Sequence, residues 1–305
     1  MANMAQLRSP MPWMGGKHYS AQFILEQFPA AESYDVFVDV FGGGANILLN
    51  KPAGRHLEVY NDSNKDLVNC WLHLRDHADE MQDRLDTLPY ARSLYYDYHK
   101  SLFDGTQMDG LERAVRWFYV LQSSFRASVD ETPSGWSSGV TGLHRGQVGG
   151  YKGHLHAKSF HNTISGLKAI VARFRNIEID CRDFEEVIKQ YEQPYGLRTL
   201  LYCDPPYIDS EHYYKPARDI DTVSFHQRLA RVLNNTPALV ALSYYDHPWL
   251  DELYPAAKWR RVTWETIKHS QRTKATRDKA TELLLCNYPA KTHQTLWDIM
   301  ESESA

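Results

Sequence analysis

The sequence predicts an α/β fold, and three stretches carry that prediction. The first, Tyr34-Asp35-Val36-Phe37-Val38-Asp39-Val40-Phe41, is apolar and β-branched, and it runs straight into Gly42-Gly43-Gly44-Ala45 and the helix-like Asn46-Ile47-Leu48-Leu49-Asn50. This is strand, tight turn, helix, and it resembles the opening unit of a nucleotide-binding α/β fold. The second, Leu57-Glu58-Val59-Tyr60-Asn61-Asp62, is a strand that again ends in an acid. The third, Leu200-Leu201-Tyr202-Cys203-Asp204-Pro205-Pro206-Tyr207, is a buried strand stopped by two prolines, which fix φ and remove two backbone donors. Strands alternating with helices imply a largely parallel sheet whose ligands bind beyond the carboxyl ends of the strands.

Composition narrows the class. At 305 residues the chain can bury a substantial core, and a net charge of −4 means that any contact with nucleic acid must rest on local basic surface. Cys70, Cys181, Cys203 and Cys286 show no paired spacing, which argues against a disulfide framework or a zinc site and points to a reducing cytoplasm. The sequence carries no export signal and no apolar run near the length of a membrane span, so a soluble, cytoplasmic protein is expected.

The remaining elements follow in order. After a short arm, Met11-Pro12-Trp13-Met14-Gly15-Gly16-Lys17 forms a loop leading into a helix at Phe23, Ile24 and Phe28. From Lys65 to about Arg126 the apolar spacing is helical, with Trp71, Trp117 and Phe118 in the core and Leu94 to Tyr98 in the same helical layer. Between Thr132 and Ile177 there is no acidic residue, while Arg145, Lys152, Lys158, Lys168, Arg173 and Arg175 occur with four histidines. Its first part, to Gly153, is a Gly/Ser-rich, aromatic-bearing loop suited to phosphate and groove contact; its later part, Ala157 to Arg175, reads as one helix. A strand from Ile177 then ends at Asp183-Phe184, a helix follows to Tyr191, and the α/β rhythm resumes. Beyond Tyr207 come a polar loop, a helix over Phe225 to Leu233 and a strand over Ala238 to Tyr244. A closing hairpin, Trp259 to Thr263-Trp264 and Thr281 to Tyr288, surrounds a second basic loop with Arg272 and Lys274.

The chemistry lies at the strand ends. Asp204 and the Pro205 carbonyl can accept both hydrogens of an exocyclic amine and steer its lone pair toward an electrophile, while Tyr207 offers a flat face to a base. The alternative is a strand-terminating turn whose Asp caps something nearby. Lys17, after a glycine pair and near Trp13, can grip an anion together with an adenine or a sulfonium, or can simply belong to a loop. The glycine turn lets backbone N–H groups reach a ligand. Asp62 can accept both hydroxyls of a ribose, and Asp183 can bind an adenine amine while Phe184 packs on the ring.

The ordered set Pro12-Trp13-Met14-Gly15-Gly16-Lys17, Asp39-Val40-Phe41-Gly42-Gly43-Gly44, Tyr60-Asn61-Asp62, Asp183-Phe184 and Asp204-Pro205-Pro206-Tyr207 resembles the Dam-type, alpha-group DNA adenine-N6 methyltransferases. The resemblance runs from about residue 10 to about residue 290. It implies a Rossmann-like methyltransferase fold, with residues 1–64 and 168–305 as catalytic domain and 65–167 as an inserted, mostly helical target-recognition domain. It implies S-adenosylmethionine as methyl donor, S-adenosylhomocysteine as product and no metal. Trp13, Gly15, Lys17, Asp39, Phe41, Gly42, Gly43, Gly44, Asp62, Asp183, Phe184 and Asp204 would surround the cofactor. Asp204, Pro205, Pro206 and Tyr207 would hold an adenine flipped from double-stranded DNA, contacted by Arg126, Arg145, Lys152, Lys158, Arg272 and Lys274. A cognate restriction nuclease is a candidate partner of such an enzyme, phage or bacterial. Two positions depart from the pattern: Ala45 stands where glycine is frequent, and Gln122-Ser123 where an Asn-Arg pair is common. Methylation of cytosine N4 or of RNA, and a non-catalytic DNA-binding role, stay open as alternatives.

Overall fold

The computed structural model describes residues 7–13, 15–138, 156–208, 222–267 and 279–291. Its strands are β1 (Val36–Asp39), β2 (Leu57–Asn61), β3 (Ile177–Asp180), β4 (Thr199–Cys203), β5 (Leu239–Tyr245), β6 (Arg260–Ile267) and β7 (Lys279–Cys286), joined in one sheet in the order β3-β2-β1-β4-β5-β7-β6. β3, β2, β1, β4 and β5 run parallel, while β7 is antiparallel to both β5 and β6. Strand alternation divides the core in two. Phe37, Tyr60, Leu200 and Tyr202 face one side, and Val36, Val38, Val59, Leu201 and Cys203 the other. Both sets are buried, which is why these strands read as unbroken apolar runs and not as alternating ones.

The helices are α1 (Ala21–Gln27), α2 (Asn46–Asn50), α3 (Lys65–Asp76), α4 (Ala78–Asp86), α5 (Arg92–Phe103), α6 (Gly110–Ser123), α7 (His156–Ser165), α8 (Leu167–Phe174), α9 (Phe184–Tyr191), α10 (Thr222–Asn235) and α11 (Leu250–Leu253). The helical stretch expected from Lys65 to Arg126 divides into four helices with chemical boundaries. Asn64 Oδ1 accepts from the N–H groups of Asp66 and Leu67 to start α3, and Asp109 accepts from Glu112 N–H to start α6. That stretch ends at Ser123, so Arg126 lies beyond the helix, next to an isolated bridge between Ser124 and Trp136. The single helix expected over Ala157 to Arg175 is broken in two at Gly166, whose N–H turns back to the carbonyls of Asn162 and Thr163. Glycine is the residue at which a helix most readily gives way.

Trp71, Trp117 and Phe118 are buried as expected. Trp71 of α3 stacks flat on Phe174 of α8, ring centroids 4.2 Å apart, and one hydrophobic cluster runs from Phe37 and Tyr60 on the sheet through Trp71 to Phe118 and Phe160. Among the described residues no helix is long and apolar enough to cross a membrane.

One buried ionic group ties this layer to the sheet. Glu58 of β2 takes Lys51 Nζ at 2.9 Å and both terminal nitrogens of Arg173, at 2.6 and 2.9 Å. Burial pushes the Lys51 ammonium below its usual range, against the pull of Glu58. Removing the shared anion leaves two buried cations without an answer. Glu58→Gln is therefore expected to cost about 3–5 kcal/mol in denaturant unfolding; a loss below about 1 kcal/mol would show that the group does not hold α8 to the sheet.

Candidate active site

The glycine turn after β1 is shaped by its neighbours. A Cβ on Gly42 would stand 2.2 Å from the Tyr60 ring, and one on Gly43, where φ is +48°, would stand 2.6 Å from the Trp13 indole. Only glycine fits both places. The turn is also anchored: the Gly43 carbonyl accepts from Tyr60 Oη–H at 2.8 Å and Trp71 Nε1–H at 3.2 Å, and the Gly43 N–H donates to Asp62 Oδ2 at 3.0 Å. Trp13, Gly43, Gly44 and Asp62 are thus brought together.

On the other side of the order reversal in the sheet, β4 delivers Asp204 beside β1. Lys17 Nζ lies 2.9 Å from Asp204 Oδ1, donates to the Gly15 carbonyl at 2.9 Å and sits 4.8 Å from the Tyr207 ring centroid. Lys17 is only 5% exposed. Burial by itself would lower its pKa, but Asp204 and then Glu282 outweigh that and hold the ammonium above the ordinary lysine range. Asp204 is lifted by burial, against the opposing pull of Lys17 and the Tyr207 hydroxyl. The contact is an ion pair more than a directed hydrogen bond, since Asp204 Oδ1 has no well-aligned donor among the described residues.

Asp39, the last residue of β1, lies between Tyr60 and Tyr202 in the register. It is 2% exposed, and its Oδ1 has no hydrogen-bond partner among the described residues. Burial, with the charges of Asp204 and Asp62, pushes its carboxyl well above the usual range. A buried oxygen with nothing to accept from is costly and marks a place for a ligand donor. Among the described residues, Asp204 and Glu282 act electrostatically on the Lys17 ammonium, and Asp39 feels the charges of Asp204 and Asp62. Acidic groups outnumber the ammonium, so the site suits a cation.

The other predicted residues are placed as follows. Asp62 accepts from Gly43 N–H through Oδ2 and from Asn64 N–H through Oδ1 at 2.8 Å. Asp183 caps α9 by accepting from Glu185 N–H, and its other oxygen pairs with Arg228 at 2.5 Å, so both of its oxygens already have internal partners. Phe184 is buried within 5.7 Å of Phe41, centroid to centroid, under the Arg228 guanidinium. Arg126 and Lys158 are exposed. Arg145, Lys152, Arg272 and Lys274 lie outside the described residues.

Sequence reasoning passed over Glu282, Tyr245 and Asn61 as site residues. Asn61 binds the Val40 and Arg182 carbonyls and accepts from Arg182 N–H, tying together the loops after β1, β2 and β3. Glu282, on β7, is 7% exposed with Oε2 unpartnered among the described residues. The signal for it was its parity with Leu284 and Cys286, which aims it inward.

A family model described as D12 class N6 adenine-specific DNA methyltransferase matches residues 13–267. The chain is 24% identical over 296 residues to the type II methyltransferase M1.LlaDCHI of Lactococcus lactis subsp. cremoris, covering 94% of this chain and 97% of that relative. It is 38% identical over 58 residues to the modification methylase StsI of Streptococcus sanguinis, covering 19% of this chain and 8% of that protein.

The orphaned Asp39 yields a prediction with a definite sign. Its raised folded-state pKa favours folding below the ordinary carboxylate pKa, and that stabilisation is lost as pH rises through the raised value. Asp39→Asn is therefore expected to melt higher than the wild type at about pH 7 and to lose that advantage near about pH 4, while binding the methyl donor more weakly. Equal melting at both pH values would refute the buried-charge account. Gly42→Ala, whose Cβ meets the Tyr60 ring, is expected to cost about 1–3 kcal/mol and to weaken donor binding in calorimetric titration.

Proposed function

The chain belongs to the D12 class of N6 adenine-specific DNA methyltransferases, and from that premise we propose that its methyl donor is S-adenosylmethionine and that the target adenine is flipped into the Asp204 to Tyr207 turn. The observation that carries this reading is the turn itself: a buried carboxylate paired with Lys17, at the carboxyl edge where the strand order reverses, facing the unsatisfied Asp39. That reversal is where open α/β sheets bind their ligands.

The residues fit the donor. The acidic groups at the strand ends suit a sulfonium and an ammonium, the orphaned Asp39 oxygen awaits a donor group, and the glycine turn, packed against the Tyr60 and Trp13 rings, fixes the backbone beside them. Asp62 would accept the ribose hydroxyls, since each of its oxygens keeps a lone pair beyond the N–H it already holds. Trp13, Phe41 and Phe184 would line the flat groups, and Asp183 would reach an adenine amine only by sharing oxygens already held by the α9 cap and Arg228. When bound, S-adenosylmethionine supplies a methyl group on a positively charged sulfur, open to in-line displacement.

Asp204 and the Pro205 carbonyl accept the two N6 hydrogens and aim the nitrogen lone pair at that methyl group. Pro206 keeps the loop rigid, and Tyr207 packs against the base. As positive charge develops on N6, Asp204 stabilises it without moving. Lys17 offsets the Asp204 charge and opposes the burial that raises its carboxyl, which favours the ionised form that accepts. Residues 65–167 would form the target-recognition unit, with Arg126 and Lys158 on its exposed surface available to phosphates. The names of both relatives favour the modification half of a restriction system, whose cognate nuclease would be a partner.

Asp204→Ala is expected to abolish methylation while leaving DNA affinity within about threefold, because the phosphate contacts supply most of that affinity. Expression in a methylation-deficient bacterial host, followed by nucleoside mass spectrometry and modified-base sequencing, reads both the product and its sequence context. N4-methylcytosine without N6-methyladenine would overturn the assignment.

A further inference from the structure

Glu282 is a charged residue in an apolar strand, and its register explains where that charge goes. On β7 it pairs with Tyr245, the last residue of β5, and on the other side with Trp264 of β6. Cys203, the last residue of β4, is level with Leu242. Glu282 therefore stands further toward the ligand edge than the end of β4, above the level at which Asp204 leaves the sheet. Its neighbours point to the same place. The Tyr245 ring meets the Tyr207 ring edge-on at 4.7 Å, while Trp264 lies 4.9 Å from Phe23 and donates to Ser20 Oγ at 3.4 Å, next to the loop that carries Lys17. The carboxylate is buried with one oxygen unpartnered among the described residues, an expensive state unless a nearby cation answers it.

We propose that Glu282 is a positioning residue of the methyl-transfer site: a second counter-charge that shares the buried Lys17 ammonium with Asp204. This rests on the reading that Asp204 receives the adenine amine. When Asp204 turns its electron density to the amine hydrogens, Lys17 loses part of its compensation, and a neutral pair would leave an under-compensated ammonium in a dry site. Glu282 supplies the remaining negative charge, so Lys17 stays protonated and Asp204 is free to serve the substrate. The groups facing Lys17 are Asp204 and Tyr207 from the loop after β4, Tyr245 from β5 and Glu282 from β7; Asp39 from β1 faces Asp204. Glu282 follows only burial and Asp204 among the influences on Lys17, and Lys17 in turn pulls the Glu282 carboxyl down against its burial.

Single-turnover methylation rates against pH, with donor and DNA saturating, test this in the wild type, E282Q and E282D. The wild type is expected to keep its rate to the alkaline end of the range. E282Q is expected to lose roughly tenfold or more there and far less at neutral pH, because a less compensated Lys17 gives up its proton earlier. E282D, which keeps the charge but withdraws it by one methylene, is expected to fall between them. A purely structural role would lower the rate by one factor at every pH; that result, or coincident profiles, overturns the proposal. Should E282Q fail to fold, E282D alone decides: a displaced alkaline limb supports the role and an undisplaced one refutes it. N6-methyladenine measured in the same wild-type samples separates the two failures. Its absence removes the reading of the reaction and this proposal with it, whereas its presence with coincident profiles removes only the role of Glu282.

Discussion

Hydrogen bonding of β1 between β2 and β4 is the constraint on which the site depends. Because the chain moves outward to β2 and β3 on one side and returns to β4 and β5 on the other, the loops leaving β1 and β4 diverge and open a crevice between them. The same adjacency forces two acids together, Asp39 at the end of one strand and Asp204 just past the end of the next. Folding alone has no use for that arrangement. Lys17 answers Asp204, while Asp39 is buried with one oxygen unpartnered among the described residues. Local rules of polar satisfaction are broken here and obeyed at Glu58, where a buried carboxylate has a full complement of cations.

Much of the fold was legible because its signals are local. The apolar runs of β1, β2 and β4 and the glycine turn announce themselves within a few residues. Strand order does not, since parallel pairing joins segments far apart in the chain. The site divides in the same way. Lys17 and Asp204 were identifiable by residue type and setting, but their contact depends on how the loop before α1 folds over the end of β4. Glu282 was missed because a glutamate in an edge hairpin ordinarily faces solvent; its parity with Leu284 and Cys286 hints otherwise, and the pairing with Tyr245 and Trp264 fixes its level near the site. Asp183, expected from the sequence to meet an adenine amine, is a helix cap and a partner of Arg228, roles that only the packing of α9 against α10 reveals.

The two departures from the family pattern take on structural meaning. Ala45 adopts a left-handed conformation, φ 55°, at a wholly buried position, with its N–H bonded to the Gly42 carbonyl. The strain is of the order of 1 kcal/mol, and the packed methyl group offsets it. Gln122 donates to the Pro10 carbonyl and Ser123 to the Tyr119 carbonyl. Both side chains are engaged in internal hydrogen bonds, Gln122 to the N-terminal arm and Ser123 to the last turn of its own helix.

The double anchoring of the Gly43 carbonyl bears on how the protein can evolve. Tyr60 and Trp71 hold that one oxygen, and Trp71 is also the plate on which Phe174 rests. A lineage cannot retune the aromatic stack between the sheet and its helical cover without disturbing the glycine turn, nor reshape the turn without loosening the stack. Selection for thermal robustness and selection for a different turn geometry at the strand ends would therefore meet at the same few side chains. Changes on the exposed surface, away from these side chains, are free to proceed alone.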